Sequence, residues 1–216
     1  MTHPMKALSL LAVGASLAAC APTTSTMIGG ANAGNGGLIP AQRLSVAQPS
    51  PSATSMTLRM TSPTLSNGTA LPLQNVGSGN GCTGGNASPA LNWGGAPDGT
   101  VSYVVTMYDP DAPTGSGFWH WIVYNIPASA TGLAEGAGSA GGTLPDGAVQ
   151  LNNDGGSLGY TGACPPPGDR AHRYVITLYA LSKTISLPAG ASAAYLGFNL
   201  NGATLAKTSL TAFYGR

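Results

Sequence analysis

The chain has 216 residues, of which 43% are hydrophobic: enough for one folded domain with extensions and a core. Charged residues are only 7%, against about 25% in an average globular protein, and the formal net charge is +1. A chain so poor in charge has no electrostatic footprint for nucleic acid, which is excluded as a partner. Its 32 glycines and 17 prolines favour a turn-rich β architecture.

Residues 1–19 read as a secretory signal, with Lys6 in a positive start and an apolar stretch over 7–17 too short to span a bilayer. Leu17, Ala18 and Ala19 then lead directly into Cys20. This run resembles a bacterial lipobox, which implies an acylated Cys20 at the mature N-terminus and an anchor of several acyl chains. The alternative is an ordinary secretory peptide with a cysteine there by chance. Ala21 and Pro22 follow Cys20 where an Asp would mark inner-membrane retention, so the expected location is the bacterial envelope, on the periplasmic side of the outer membrane. Residues 20–56 are mostly small and polar, with Arg43 the only charge, and read as the lipidated cysteine and a flexible tether. An extra strand over 38–46 is the competing reading.

The folded unit is expected over 57–216, opening with an alternating strand at 56–60. A short strand is expected over 71–76 and another after the turn-rich loop that runs from Cys82 to Trp93. Residues 101–108, 121–126 and 174–181 are nearly continuous apolar runs, the pattern of strands buried on both faces. Residues 132–154 form a long glycine-rich connection with a strand candidate over 147–151. Helical spacing emerges only over 192–210, where Tyr195, Phe198 and Leu205 recur. The expected fold is mostly β, a sandwich of two packed sheets with a C-terminal helix.

Of the three histidines, His3 lies in the signal. The other two, His120 and His172, each stand where a Pro/Gly loop enters a strand. Side chains two apart on a strand share a face, which pairs His172 with Tyr174, and His120 with Ile122 opposite Trp119 and Trp121. Pro110 separates Asp109 from Asp111 and holds Asp109 extended. If the strands after the two loops are neighbours, Asp109, His120, His172 and Tyr174 meet at one rim. Imidazoles and a phenol donate while a carboxylate orients an imidazole, a set suited to a small anion. Each residue alone also reads as ordinary turn or strand-end chemistry. A metal site is the sharper competitor, but it lacks HxH or HxxxH spacing and needs Asp109 or Asp111 as third ligand. GxxxxGK[ST] and CxxC patterns do not occur.

The stretches YDPDAPTGSGFWHWIVYNIP and GACPPPGDRAHRYVITLYAL closely resemble the two signature motifs of the phosphatidylethanolamine-binding protein family, in its bacterial Raf-kinase-inhibitor-like branch. CTGGNASPALNW and YLGFNLNGATLA extend the resemblance from about residue 57 to the C-terminus. It implies a β-sandwich-like core with an anion pocket formed by Asp109, His120, Pro166, His172 and Tyr174, and Asp111 enters as a residue behind them. The motif alignment sets Cys82 and Cys164 beside the pocket loops, where an exported protein would bridge them. Two free thiols are the other reading.

The expected function is a binding module without enzymatic activity, cofactor or metal. Its expected partners are a small anionic or phosphate-bearing ligand, such as a phospholipid head group, the membrane through the lipid anchor, and a protein target. An inhibitor of kinases or proteases is the first alternative. A hydrolase using Asp109, His120 and His172 is the second, weakened by the lack of a nucleophile with an adjacent base.

Overall fold

The computed structural model describes residues 57–216. The expected signal, Cys20, the tether and the alternative strand over 38–46 lie outside the described residues. The expected opening strand appears as β1 (Arg59–Thr61). It is followed by β2 (Thr69–Ala70) and β3 (Leu91–Gly94). The three apolar runs become β4 (Ser102–Asp109), β5 (Phe118–Pro127) and, later, β8 (His172–Leu181). Between β5 and β8 lie β6 (Gly132–Leu133) and β7 (Val149–Gln150), inside the glycine-rich connection. Helix α1 (Ala193–Leu200) and β9 (Thr204–Tyr214) complete the order.

These strands form two sheets: β1-β3-β6, and a larger one ordered β2-β9-β8-β4-β5-β7. All named pairings are antiparallel except β2 with β9. Strand β4 is buried at every position because both faces of the larger sheet are covered. On one face Tyr103, Val105 and Met107 join Trp121, Ile176 and Leu178 against Met60, Leu91 and Trp93 of the smaller sheet. On the other, Val104, Ile122, Tyr179 and Leu181 pack against Leu196 and Leu200 of α1.

Two sequence expectations are corrected. The strand over 71–76 is instead a 3-10 helix, Leu73–Asn75, entered from Pro72. The amides of Asn75 and Val76 donate to the carbonyls of Pro72 and Leu73, three residues back. The helix over 192–210 ends at Leu200, and its second half is the longest strand. Gly202 takes a φ of 74°, which turns the chain out of the helix. The threonine-rich run beyond then pairs with β8 along its whole length. The docked face of α1 is Ala193, Leu196 and Leu200, whereas Tyr195 and Phe198 lie 48% and 73% exposed.

Candidate functional site

At one end of the larger sheet, β4, β5 and β8 border a cavity of about 210 Å³ whose wall includes Asp109, Phe118, His120, Pro166, His172 and Tyr174. The strands carrying the two histidines are not neighbours. β4 lies between them and contributes Asp109 from its last position. All four residues still meet, because β5 is bulged: Met107 faces Trp121 and Tyr108 faces Trp119, leaving His120 as the extra residue. The bulge overturns the expected alternation. Trp121 packs in the same core layer as Tyr174, Ile122 in the opposite one, and the His120 ring lies 5.2 Å from that of Tyr174. The Phe118 ring packs tilted against it too, with ring centroids 4.7 Å apart.

Asp109 is buried, and its carboxylate accepts three hydrogen bonds. Oδ1 accepts from the amides of Asp111 and Ala112 at 2.8 and 3.1 Å, and Oδ2 accepts from Nδ1 of His172 at 2.7 Å. The other ring nitrogen of His172 stands 3.4 Å from Oδ2 of Asp169. Both partners of this ring are carboxylates, which only accept. His120 donates from Nδ1 to the carbonyl of Thr161 at 2.9 Å. Burial pushes the His120 pKa below its ordinary value; the Thr161 carbonyl, Asp109 and Asp154 pull it back, while His172 adds to the fall. Tyr174 is fully buried and its hydroxyl has no hydrogen-bond partner. Burial, and then the charge of Asp109, raises its pKa far above the usual tyrosine range, so the phenol stays protonated.

Asp111 does not join the cavity wall. Its carboxylate turns to β8, where Oδ2 accepts from the backbone amide and Nε of Arg173 at 2.9 and 2.8 Å. Oδ1 accepts from Nη2 of Arg173 and of Arg170. The Arg173 hydrogen bonds, more than any other cause, hold the Asp111 pKa down at about 2. This residue therefore fastens the Asp-Pro-Asp loop to the start of β8.

Cys82 and Cys164 form a disulfide, and Cys164 and Asn80 belong to the cavity wall. Beside it, the guanidinium of Arg216 donates to three carbonyls: Pro165 at 2.7 Å, Gly81 at 3.0 Å and Asn80 at 3.0 Å. Sequence reasoning missed Phe118, although its place two residues before His120 marks it as a same-face neighbour. It also missed Thr161, Asp169 and Arg216, whose roles come from chain crossings that local spacing does not encode. Among the described residues, no group of three His, Cys, Asp or Glu side chains is arranged to hold a metal ion.

A two-sheet β fold with a small cavity where three strands of one sheet end is thus the class of protein defined here. The phosphatidylethanolamine-binding protein family model matches residues 61–215, and the chain belongs to that family. It is 48% identical over 165 residues to the UPF0098 protein YbcL of Escherichia coli, covering 76% of this chain and 90% of the relative. The crystal structure of E. coli YbcL, described as a new member of the mammalian PEBP family, superposes with a TM-score of 0.71 over 74% of this chain and 99% of that one. The Mycobacterium tuberculosis protein named "Putative lipoprotein LppC" is 39% identical over 145 residues, 67% of this chain and 64% of its own length.

Proposed function

We propose that this chain is a non-enzymatic binding protein of a bacterial envelope, whose cavity takes the phosphate or other anionic head of a small ligand. The observation that carries the reading is the Tyr174 hydroxyl, buried without a partner in the cavity wall. An orphaned buried donor costs about 1–3 kcal/mol, a cost that a bound acceptor would relieve. Asp109, His120, Pro166, His172 and Tyr174 form the binding set, and Asp111 supports it from behind. A binding role rather than a hydrolytic one is favoured by the state of two nucleophile candidates of the cavity wall. Cys164 is in the disulfide and the Thr114 hydroxyl donates to the Gly117 carbonyl. The disulfide fits an oxidising compartment, and the name of the mycobacterial relative fits a lipid anchor at Cys20.

Calorimetric titration with inorganic phosphate and phosphoethanolamine tests the pocket. A charge-assisted hydrogen bond is worth about 1.5–3 kcal/mol, so His120→Ala should weaken binding roughly ten- to a hundred-fold, and His172→Ala, which strips Asp109 of its imidazole partner, should weaken it as well. Equal affinity in wild type and both variants would place the site elsewhere, and turnover of phosphoethanolamine lost in the variants would make the chain an enzyme. Intact-mass measurement of the protein from its native membrane tests the anchor. Acylated Cys20 as the first residue is expected, and an unmodified Cys20 sinks the lipoprotein reading.

A further inference from the structure

The larger sheet has a second recess, on its opposite face. Side chains alternate along β4 and β8, so Asp109, His172 and Tyr174 line the cavity while Tyr108, Arg173 and Thr177 lie on the other side. Helix α1 covers that side only where Val104, Ile122 and Leu181 lie. Beyond the helix, toward the Asp-Pro-Asp loop, the face opens into a groove of about 200 Å³.

One wall of the groove is aromatic: Trp119 and Tyr108 stand with ring centroids 4.5 Å apart. The Tyr108 hydroxyl donates to the Ser116 carbonyl, whereas the indole N–H of Trp119 has no acceptor among the described residues. The floor is made of hydroxyls. Thr177 meets Ser209 at 2.9 Å across β8 and β9, and Tyr179 sets its hydroxyl beside those of Thr106 and Thr177. A hydroxyl donates once and accepts twice, so this row can pair with ligand hydroxyls while staying bonded internally. Both charged residues of the lining are cations, Arg173 and Lys207. Two carboxylates stand behind the wall and are already engaged: Asp111 accepts from Arg173 and Arg170, and Asp154 accepts from the Trp119 amide. Asp111 sets one charge against two guanidiniums, which leaves that end of the groove positive.

From this aromatic wall, hydroxyl floor and cationic lining, we propose that the groove binds a saccharide unit carrying a carboxylate, a hexuronate or a similar acidic sugar. The C–H face of a pyranose ring lies on the electron-rich face of Trp119. Ligand hydroxyls pair with the Trp119 N–H and with the Ser209 hydroxyl. The carboxylate faces Lys207 and the outer edge of the Arg173 guanidinium, where charge strengthens the hydrogen bonds. A plain aromatic ligand would cover the floor without pairing with its hydroxyls, and covering polar groups without partners costs affinity. A neutral sugar forgoes the cations. The site shares β4 and β8 with the cavity but none of its lining residues.

The experiment is titration with glucuronate, glucose and benzoate at fixed ionic strength, read by calorimetry and by tryptophan fluorescence. Fluorescence reports on the groove because Trp119 is partly exposed, whereas Trp93 and Trp121 are buried. Glucuronate should bind with a Kd of about 1 mM, ordinary for a single ring, and shift the emission. Glucose and benzoate should each bind at least about ten-fold more weakly. Lys207→Gln leaves Trp119 in place and should weaken glucuronate roughly five- to ten-fold. Trp119→Leu keeps an apolar side chain against the α1 cluster and should abolish the calorimetric signal. Benzoate bound as tightly as glucuronate would overturn the saccharide class, and glucose bound as tightly would overturn the role of the carboxylate. No response to glucuronate at ~20 mM, or an affinity that both variants leave intact, would overturn the site.

Discussion

Asp111 shows how a residue in a signature loop can serve the site without touching a ligand. Its carboxylate accepts hydrogen bonds from two arginines and a backbone amide, which ties the end of β4 to the start of β8. The consequence appears in acid. The folded-state pKa is about 2, whereas an unperturbed aspartate titrates near ~3.9, so the unfolded chain binds the proton first. The stabilisation from this group is complete above about pH 4 and is lost as pH falls through about 2. Asp111→Asn should therefore lower stability at neutral pH and flatten the acid limb of the stability profile across that window. Urea unfolding at a series of pH values checks this; parallel profiles for wild type and variant would mean that Arg173 leaves the carboxyl unperturbed in solution. Half-exposed Arg173 keeps the size of the effect modest, because solvent screens the pair.

At the scale of elements, β5 decides the site, and it is where sequence reasoning was least able to follow. Apolar runs marked β4, β5 and β8 correctly, because strands covered on both faces need no alternation. His172 with Tyr174 on one face also followed from strand period. Two bulges in β5 did not. One inserts His120; the other lies at Asn125, between the pairs Val123–Val105 and Ile126–Tyr103. A bulge depends on the partner strand's register, and the sequence of β5 alone does not contain that. Helix α1 misled for a related reason. Its aromatic residues Tyr195 and Phe198 face outward while Ala193, Leu196 and Leu200 dock, and only the pairing of β9 with β8 ends helical spacing where it does. The Asn125 bulge carries a prediction. Its φ of 56° is left-handed, and its side chain donates to the Ile185 carbonyl and accepts from the Ile185 amide at 2.9 and 2.8 Å. Asn125→Ala loses both bonds and forces a Cβ-bearing residue without local compensation into that conformation, at a cost of about 2–3 kcal/mol. Asn125→Gly accepts the backbone and should cost less. A urea midpoint for the alanine variant equal to wild type would show that the bulge needs neither the bonds nor asparagine's tolerance.

At the scale of the whole molecule, the cavity is closed by segments far apart in the chain. Cys82 and Cys164 are 82 positions apart, and their bridge encloses β3, β4, β5, β6 and β7. Arg216, at the other end of the described chain, clasps carbonyls on both sides of the same bridge. These two ties act on different states. A disulfide that closes a loop of this length restricts mainly the unfolded chain, worth about 4–5 kcal/mol by loop-closure entropy. Arg216 acts on the folded state, through hydrogen bonds that exist only when the loops are assembled. Replacing both cysteines by serine should therefore lower the free energy of unfolding by as much as about 4 kcal/mol. Phosphate affinity should change by less than about three-fold, since the guanidinium still holds the cavity wall. Arg216→Ala with the bridge intact should do the reverse, with a small loss of stability and faster hydrogen exchange at the amides around Asn80 and Gly168. Urea unfolding, phosphate titration and amide exchange on the two variants separate the roles. If the serine variant remains folded in buffer yet loses phosphate binding, the bridge shapes the native cavity itself, and Arg216 alone does not suffice to hold it.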